Sequence, residues 1–322
     1  MEEEIGLLVM AYGTPASLDE VRPYYTHIRR GSPPSPEQLQ DLLRRYEAIG
    51  GCSPLNDITM AQARLLHERL QALRDAGAPV PRLRLFVGMK HCRPFIANAV
   101  QQIADAGLKQ FVGVVLAPHY ASMSVAVYQR EAREAAQRTG LAAHLVDAWH
   151  TEPAFIEGLV RRVKKARRAL QDANGQRMMV LFTAHSLPER IVAAGDPYPQ
   201  QLLETAESVA CGAGVETWQF AWQSAGRTAE KWLGPDILDV LRDLASQGYD
   251  AVLVCPVGFV SDHLEVLYDV DIEAQAVARE CGLRLARTES FNTDDALVEA
   301  LASAVQKQLA SVGSAASRGQ QA

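Results

Sequence analysis

Residues 177–186 read RMMVLFTAHS. The apolar part shows no clean period-two alternation, so it reads as a strand covered on both faces, as in the middle of a parallel sheet. It stops abruptly on His185. The same rhythm recurs along the chain. Before this segment come IGLLVMAYG (5–13), LRLFVGMKH (83–91), FVGVVLAPH (111–119) and AAHLVDAWH (142–150). After it come TWQFAWQSAG (217–226), AVLVCPVGF (251–259) and GLRLARTES (282–290). Amphipathic stretches lie between the runs, among them ITMAQARLLHERLQALRDAG (58–77) and PDILDVLRDLASQGY (235–249).

Strand and helix alternating four times in each half predict an α/β protein built on parallel sheets. The halves pair in order, 5–13 with 177–186, 83–91 with 217–226, 111–119 with 251–259, and 142–150 with 282–290, which suggests a duplicated unit. Residues 1–150 are read as the first domain and 151–309 as the second, each with its own core. A linker is expected near 151–176, and a disordered tail over 310–322 from its Ser, Ala, Gly and Gln content.

The 322 residues are 48% hydrophobic and 22% charged, with a net charge of -6. That balance speaks against affinity for nucleic acid or for an anionic membrane surface. No apolar run approaches the about 20 residues that span a bilayer. The acidic start MEEEIGLL lacks the basic region of a signal peptide. Five cysteines at 52, 92, 211, 255 and 281 form no CxxC pair; such usage fits a reduced compartment, and a cytoplasmic monomer is expected.

In open α/β sheets ligands bind outside the carboxyl ends of the strands. Those ends carry Tyr12, Lys90 with His91, and His119 with Tyr120 in the first half. In the second they carry His185, Gln223 and the segment after Gly258. In that segment, read as a helix, Glu265, Asp269 and Glu273 fall four residues apart on one stripe. Left uncompensated beside a cleft, the carboxylates would be costly, and a divalent transition metal such as iron would relieve them. The bland alternative is a solvated acidic face. A second constellation, Arg22, Arg29, Arg30, Arg44 and Arg45 with Tyr24, Tyr25 and Tyr46, suits a flat ligand carrying several carboxylates. Its bland reading is a set of surface arginines on a loop and one helix.

The motifs GLLVMAYGTP, YYTHIRRG, RYEAIGG, AHSLPE, GDPYPQQL, WQSAGRT and PVGFVSDHLEVLYD, in this order from residue 5 to about 308, resemble the ferrochelatases. The likeness is strongest to the coproporphyrin III ferrochelatases of Gram-positive-type bacteria. It implies two similar Rossmann-like, chelatase-type domains, each a four-stranded parallel sheet flanked by helices, with the active site in the cleft between them. It implies insertion of Fe2+ into coproporphyrin III with release of two protons, as a step of haem biosynthesis. By the resemblance His185 and Glu265 act at the porphyrin centre, as proton acceptor and metal contacts. Tyr12 approaches the metal from the opposite face and is axial to the product iron. Arg29, Arg45, Tyr46, Ser53 and Tyr128 surround the porphyrin, and Asp269 and Glu273 continue the stripe as a path for metal or protons.

The substrates are then coproporphyrin III and Fe2+, with no tightly bound cofactor and with transient contact to neighbouring haem-pathway enzymes. The polar segment YYTHIRRGSPPSPEQLQD lacks the apolar lip of protoporphyrin-using relatives, and the last cysteine is Cys281, so no iron–sulfur cluster is expected. His91, after Lys90, is a weaker candidate that reads at least as well as a supporting or structural histidine, and His119 is read as structural. The competing readings are a protoporphyrin IX ferrochelatase, another tetrapyrrole metal chelatase, a porphyrin or haem carrier without chemistry, and a hydrolase using Cys255.

Overall fold

The computed structural model describes residues 4–170, 177–226, 228 and 230–319. In chain order the first half holds β1 (Glu4–Ala11), α1 (Val21–Ile28), α2 (Pro36–Ala48), α3 (Leu55–Asp75), β2 (Arg82–Met89), α4 (Ile96–Asp105), β3 (Gln110–Val115), α5 (Val125–Thr139) and β4 (Ala142–Leu145). After α6 (Pro153–Leu170) come β5 (Met178–His185), α7 (Arg190–Ala193), α8 (Tyr198–Ala213), β6 (Trp218–Gln223), α9 (Ile237–Ser246) and β7 (Ala251–Cys255). The chain closes with α10 (Leu264–Leu267), a π-helical segment (Asp269–Ala274), α11 (Gln275–Glu280), β8 (Arg284–Arg287) and α12 (Asp295–Gly319).

All eight apolar runs are strands. They form two parallel four-stranded sheets in the orders β2-β1-β3-β4 and β6-β5-β7-β8. These are one topology used twice, and each sequence pair occupies the same place in its sheet. The basic segment after β1 holds two helices rather than one. Ser35 starts the second by accepting from the Gln38 amide, while the Gln38 side chain accepts from the Ser35 backbone, and Pro36 sits at its first position.

Successive residues of each central strand face opposite layers. On the outer face of the first sheet Leu8, Met10, Phe111 and Val115 pack under Ile96 and Val100 of α4 and Ala132 of α5. On the outer face of the second, Leu181, Val252 and Val254 pack under Val240 and Leu244 of α9. The inner faces share one cluster: Leu7, Val9 and Val114 from one sheet, Val180, Phe182 and Leu253 from the other, with α3, α6, α8 and α12 between them. Each large apolar side chain buried there contributes about 1.5–3 kcal/mol. Two domains with separate cores are therefore not what the inner layer shows.

The helices that end each half cross over. The expected linker includes α6, which packs against α8, β7 and β8 of the second half. Its Lys/Arg-rich face concealed Phe155, Leu159 and Val163, all buried; residues 171–176 lie outside the described chain. The last helix packs back on α3, β3 and β4 of the first half and on α6. It continues to Gly319, so the expected disordered tail is helical from 310 to 319. Alanine is the strongest helix former, and extending an existing helix avoids the cost of nucleation. No helix among the described residues is long and apolar enough to cross a membrane.

Candidate active site

The strand ends of the second sheet place the chemistry. His185 is the last residue of β5 and stands beside Gln223, the last of β6, in parallel register. Beyond β7 the chain turns at Gly258 and presses on β5. A Cβ at Gly258 would lie 2.6 Å from the Ala184 Cβ and 3.0 Å from its Cα, so only glycine permits this approach. The turn delivers Ser261, His263 and then α10, which carries Glu265.

Three side chains meet here. His185 Nε2 lies 3.4 Å from Glu265 Oε1, and His263 Nε2 lies 3.4 Å from Glu265 Oε2. The other nitrogen of each ring is already committed. His185 Nδ1 contacts the Ser186 carbonyl, and His263 Nδ1 lies 2.9 Å from the Ser261 carbonyl. A carbonyl oxygen only accepts, so both rings donate through Nδ1 and turn Nε2 toward the carboxylate. Two lone pairs would then face two anionic oxygens unless a cation lies between them. Between His185 and Glu265 that cation is a proton in the resting site.

The electrostatics agree. Burial opposes a charge on His185, but Glu265 and the Ser186 carbonyl override it and raise the imidazole to about 9. Burial likewise opposes ionisation of Glu265, yet His185 and then His263 hold it well below the usual carboxylate range. At neutral pH the pair is an imidazolium and a carboxylate.

The stripe beyond Glu265 differs from a single α-helix. The Tyr268 carbonyl accepts from both Ile272 N (3.1 Å) and Glu273 N (2.9 Å), the second contact closing a π turn. Asp269, 4% exposed, turns into the protein, where Ser224 Oγ donates to Oδ2 and Arg45 Nη1 donates to Oδ1 at 3.3 Å. Burial raises its carboxyl to about 6, with Glu265 and Glu273 adding to the rise and Ser224 and Arg45 opposing it. Glu273 is half-buried. Arg45 thus spans the two halves. It also bonds Asp41 at 3.2 Å and lies 5.0 Å from the centre of the Tyr268 ring.

Aromatic residues of the first half form a group whose phenols feel the Glu265 charge. Tyr12, just past β1, is 38% exposed; the protein crowded around its ring and then Glu265 raise its phenol above the ordinary value. His91 packs against it with ring centres 4.5 Å apart and lies 3.0 Å, Nδ1 to Nδ1, from His27. Burial, then Lys90 and His27, lower His91 to about 3. Lys90 lies 5.7 Å from the Tyr12 ring centre and 5.0 Å from that of Tyr128. Tyr46 and Tyr128 are only 2% and 4% exposed. The Tyr46 hydroxyl lies 3.0 Å from Thr14 Oγ1, and burial above all raises its phenol to about 12. These two tyrosines back the site instead of offering the open flat faces expected of Tyr46.

Arg29 is half-buried and donates to the Ser32 carbonyl at 3.3 Å; Ser53, 9% exposed, accepts from the Leu55 amide at 3.4 Å. His119 is buried, with Nε2 2.8 Å from Thr205 Oγ1, in a structural setting. Cys255 is fully buried and burial pushes its thiol up to about 12, so it is no nucleophile. His263 was missed from sequence. Its signal, a second imidazole two residues before Glu265, gains meaning only when the turn folds back. Among the described residues no group of three or more His, Cys, Asp or Glu side chains converges to hold a metal ion.

Two parallel sheets of one topology carry a His–Glu–His group beyond the strand ends of the second sheet, and the fold is one shared with known chelatases. SirB from Bacillus subtilis, solved with Fe3+, shares the fold with a TM-score of 0.54 at 12% identity, covering 95% of each chain. CbiX, a terminal enzyme of sirohaem biosynthesis in denitrifying bacteria, does so with 0.50 at 13%, over 94% of this chain and 98% of that one. The sequence pattern of the ferrochelatases matches residues 4–309. The chain belongs to the ferrochelatase family. It is 46% identical over 314 residues to coproporphyrin III ferrochelatase 1 of Bacillus anthracis, covering 97% of this chain and all of that one. It is also 46% identical to the coproporphyrin III ferrochelatase of Geobacillus kaustophilus, over 97% and 98% of the two chains.

Proposed function

We propose that this protein inserts ferrous iron into coproporphyrin III, releasing two protons, as a lyase of haem biosynthesis. The observation that carries the reading is the Glu265 carboxylate held between two Nε2 atoms whose rings are fixed through Nδ1. The relatives named above supply the tetrapyrrole.

The resting imidazolium sets the order of events. A metal ligand must be deprotonated, so Fe2+ arriving at Glu265 and His185 expels the His185 proton. As iron leaves Nε2 for the ring, Nε2 takes one of the two pyrrole protons, and the second leaves to solvent along the acidic stripe. Asp269, raised to about 6, is suited to pass protons outward, with Glu273 beyond it. Tyr12 serves the opposite face of the ring, while Arg29 and Arg45 meet propionates and so fix its rotation. A polycarboxylate substrate explains cationic groups at this site in a protein of net charge -6. The reading includes a cytoplasmic monomer with no resident cofactor.

The test is anaerobic. Fe2+ is offered with coproporphyrin III and, separately, with protoporphyrin IX, and metalation is followed by absorbance. Faster turnover of coproporphyrin is expected, and a preference for protoporphyrin would overturn the substrate. Tight binding of both rings without metalation would favour a carrier. His185→Ala should abolish insertion while porphyrin still binds, and normal turnover by that variant would remove His185 from the mechanism.

A further inference from the structure

We propose that Gln223, with Thr183 behind it, is a positioning residue that sets the distance between His185 and Glu265. The inference rests on the chelatase reading above. Gln223 and Thr183 are both fully buried. In parallel register Thr183 and His185 lie opposite Ala221 and Gln223, so Thr183, His185 and Gln223 share one face of the sheet. The Gln223 backbone carbonyl accepts from the Ser186 amide at 2.8 Å, tying it to the residue after His185.

The side chain holds the other partner. Its Nε2 donates to the Glu265 backbone carbonyl at 2.9 Å. Its Oε1 accepts from Thr183 Oγ1 at 2.8 Å. The amide has one orientation: the Glu265 carbonyl can only accept, so NH2 faces it, and the oxygen turns to the Thr183 hydroxyl. One residue therefore fixes β5 through its backbone and α10 through its amide. Gln223 acts through Glu265; fully buried, it leaves no surface open to a metal or a ring.

The experiment uses Gln223→Met, which keeps the length and volume but removes both bonds, and Thr183→Val, which frees the amide oxygen while keeping the shape. Two readouts are taken on each variant: the kcat and KM of iron insertion, and the affinity for Co2+ in the absence of porphyrin. For Gln223→Met, kcat should fall about 10- to 100-fold, the scale of a misplaced catalytic group. KM for porphyrin should stay within about twofold, and Co2+ should bind more weakly. Thr183→Val should move both readouts the same way by less, and it serves alone if Gln223→Met does not fold. A purely structural role would lower the melting temperature and leave kcat and Co2+ affinity unchanged, which overturns the proposal. If the wild type inserts no metal into any tetrapyrrole, the functional reading fails, and the Co2+ comparison still decides the positioning role.

Discussion

Replacing Glu265 by Gln should release the His185 proton near neutrality. In the folded protein the carboxylate 3.4 Å away holds the imidazole at about 9, against an ordinary value of about 6.5. The difference corresponds to about 3 kcal/mol of preference for the charged ring. Solvent screens the pair, since its side chains are 30% and 35% exposed, so about 1–2 kcal/mol is the stability at stake. The sign is fixed by the direction of the shift. A raised histidine stabilises the fold fully below about 6.5 and loses that contribution as pH rises through about 9. The lowered Glu265 needs pH above the ordinary glutamate value for its own contribution. The stability gap between wild type and Glu265→Gln should therefore be widest between about pH 4.5 and 6.5 and close above about 9.

Long-range proton–nitrogen spectra of the metal-free protein follow the His185 ring directly. Its midpoint should fall from about 9 to below 6.5, because burial disfavours the charge and outweighs what remains, the Ser186 carbonyl and the more distant Asp269. Urea unfolding at several pH values gives the companion stability curve. A His185 midpoint still near 9 in the variant would refute the argument, since the Glu265 carboxylate is the largest of the influences that raise it.

The remaining expectations concern parts around that pair. Arg45→Ala should weaken porphyrin binding and push the Asp269 carboxyl above its present value of about 6, because a cation that favours the anion is gone; fluorescence titration and a carboxylate-resolved infrared spectrum read the two effects. Gly258→Ala should cost about 1–3 kcal/mol in urea unfolding, since the new methyl would meet the Ala184 backbone, and insertion should slow; an unchanged midpoint would show that the turn yields. Under native conditions Cys52 and Cys211, both exposed, should react with a thiol reagent while Cys255 stays silent until the protein unfolds. Rapid loss of Cys255 in folded protein would contradict its fully buried thiol.

The sheets could be read from sequence because a strand covered on both faces writes a continuous apolar run, and Leu7, Leu8, Val9 and Met10 are all fully buried. His185 was visible as the point where such a run stops. The missed features depend on contacts between distant residues or on backbone detail. Arg45 meets Asp269 across 224 positions, and no spacing rule links them. The π turn after Tyr268 differs from an α turn only in which amide reaches its carbonyl. The α6 helix misled because long cationic side chains cover an apolar stripe without changing the composition. Gln223 looked like one more polar strand end until its two hydrogen bonds were placed.

The exchange of end helices bears on how the chain is made. A ribosome delivers α3, β3 and β4 early, yet α12, which packs on them, follows every other described element. Until it emerges, the inner face that includes Leu66, Leu70 and Val112 lacks part of its roof. The first half must therefore wait, incompletely covered, until α12 has emerged, with apolar surface open to chaperones or to wrong partners. A stop codon before Asp295 would then damage the half made first as surely as the half made last.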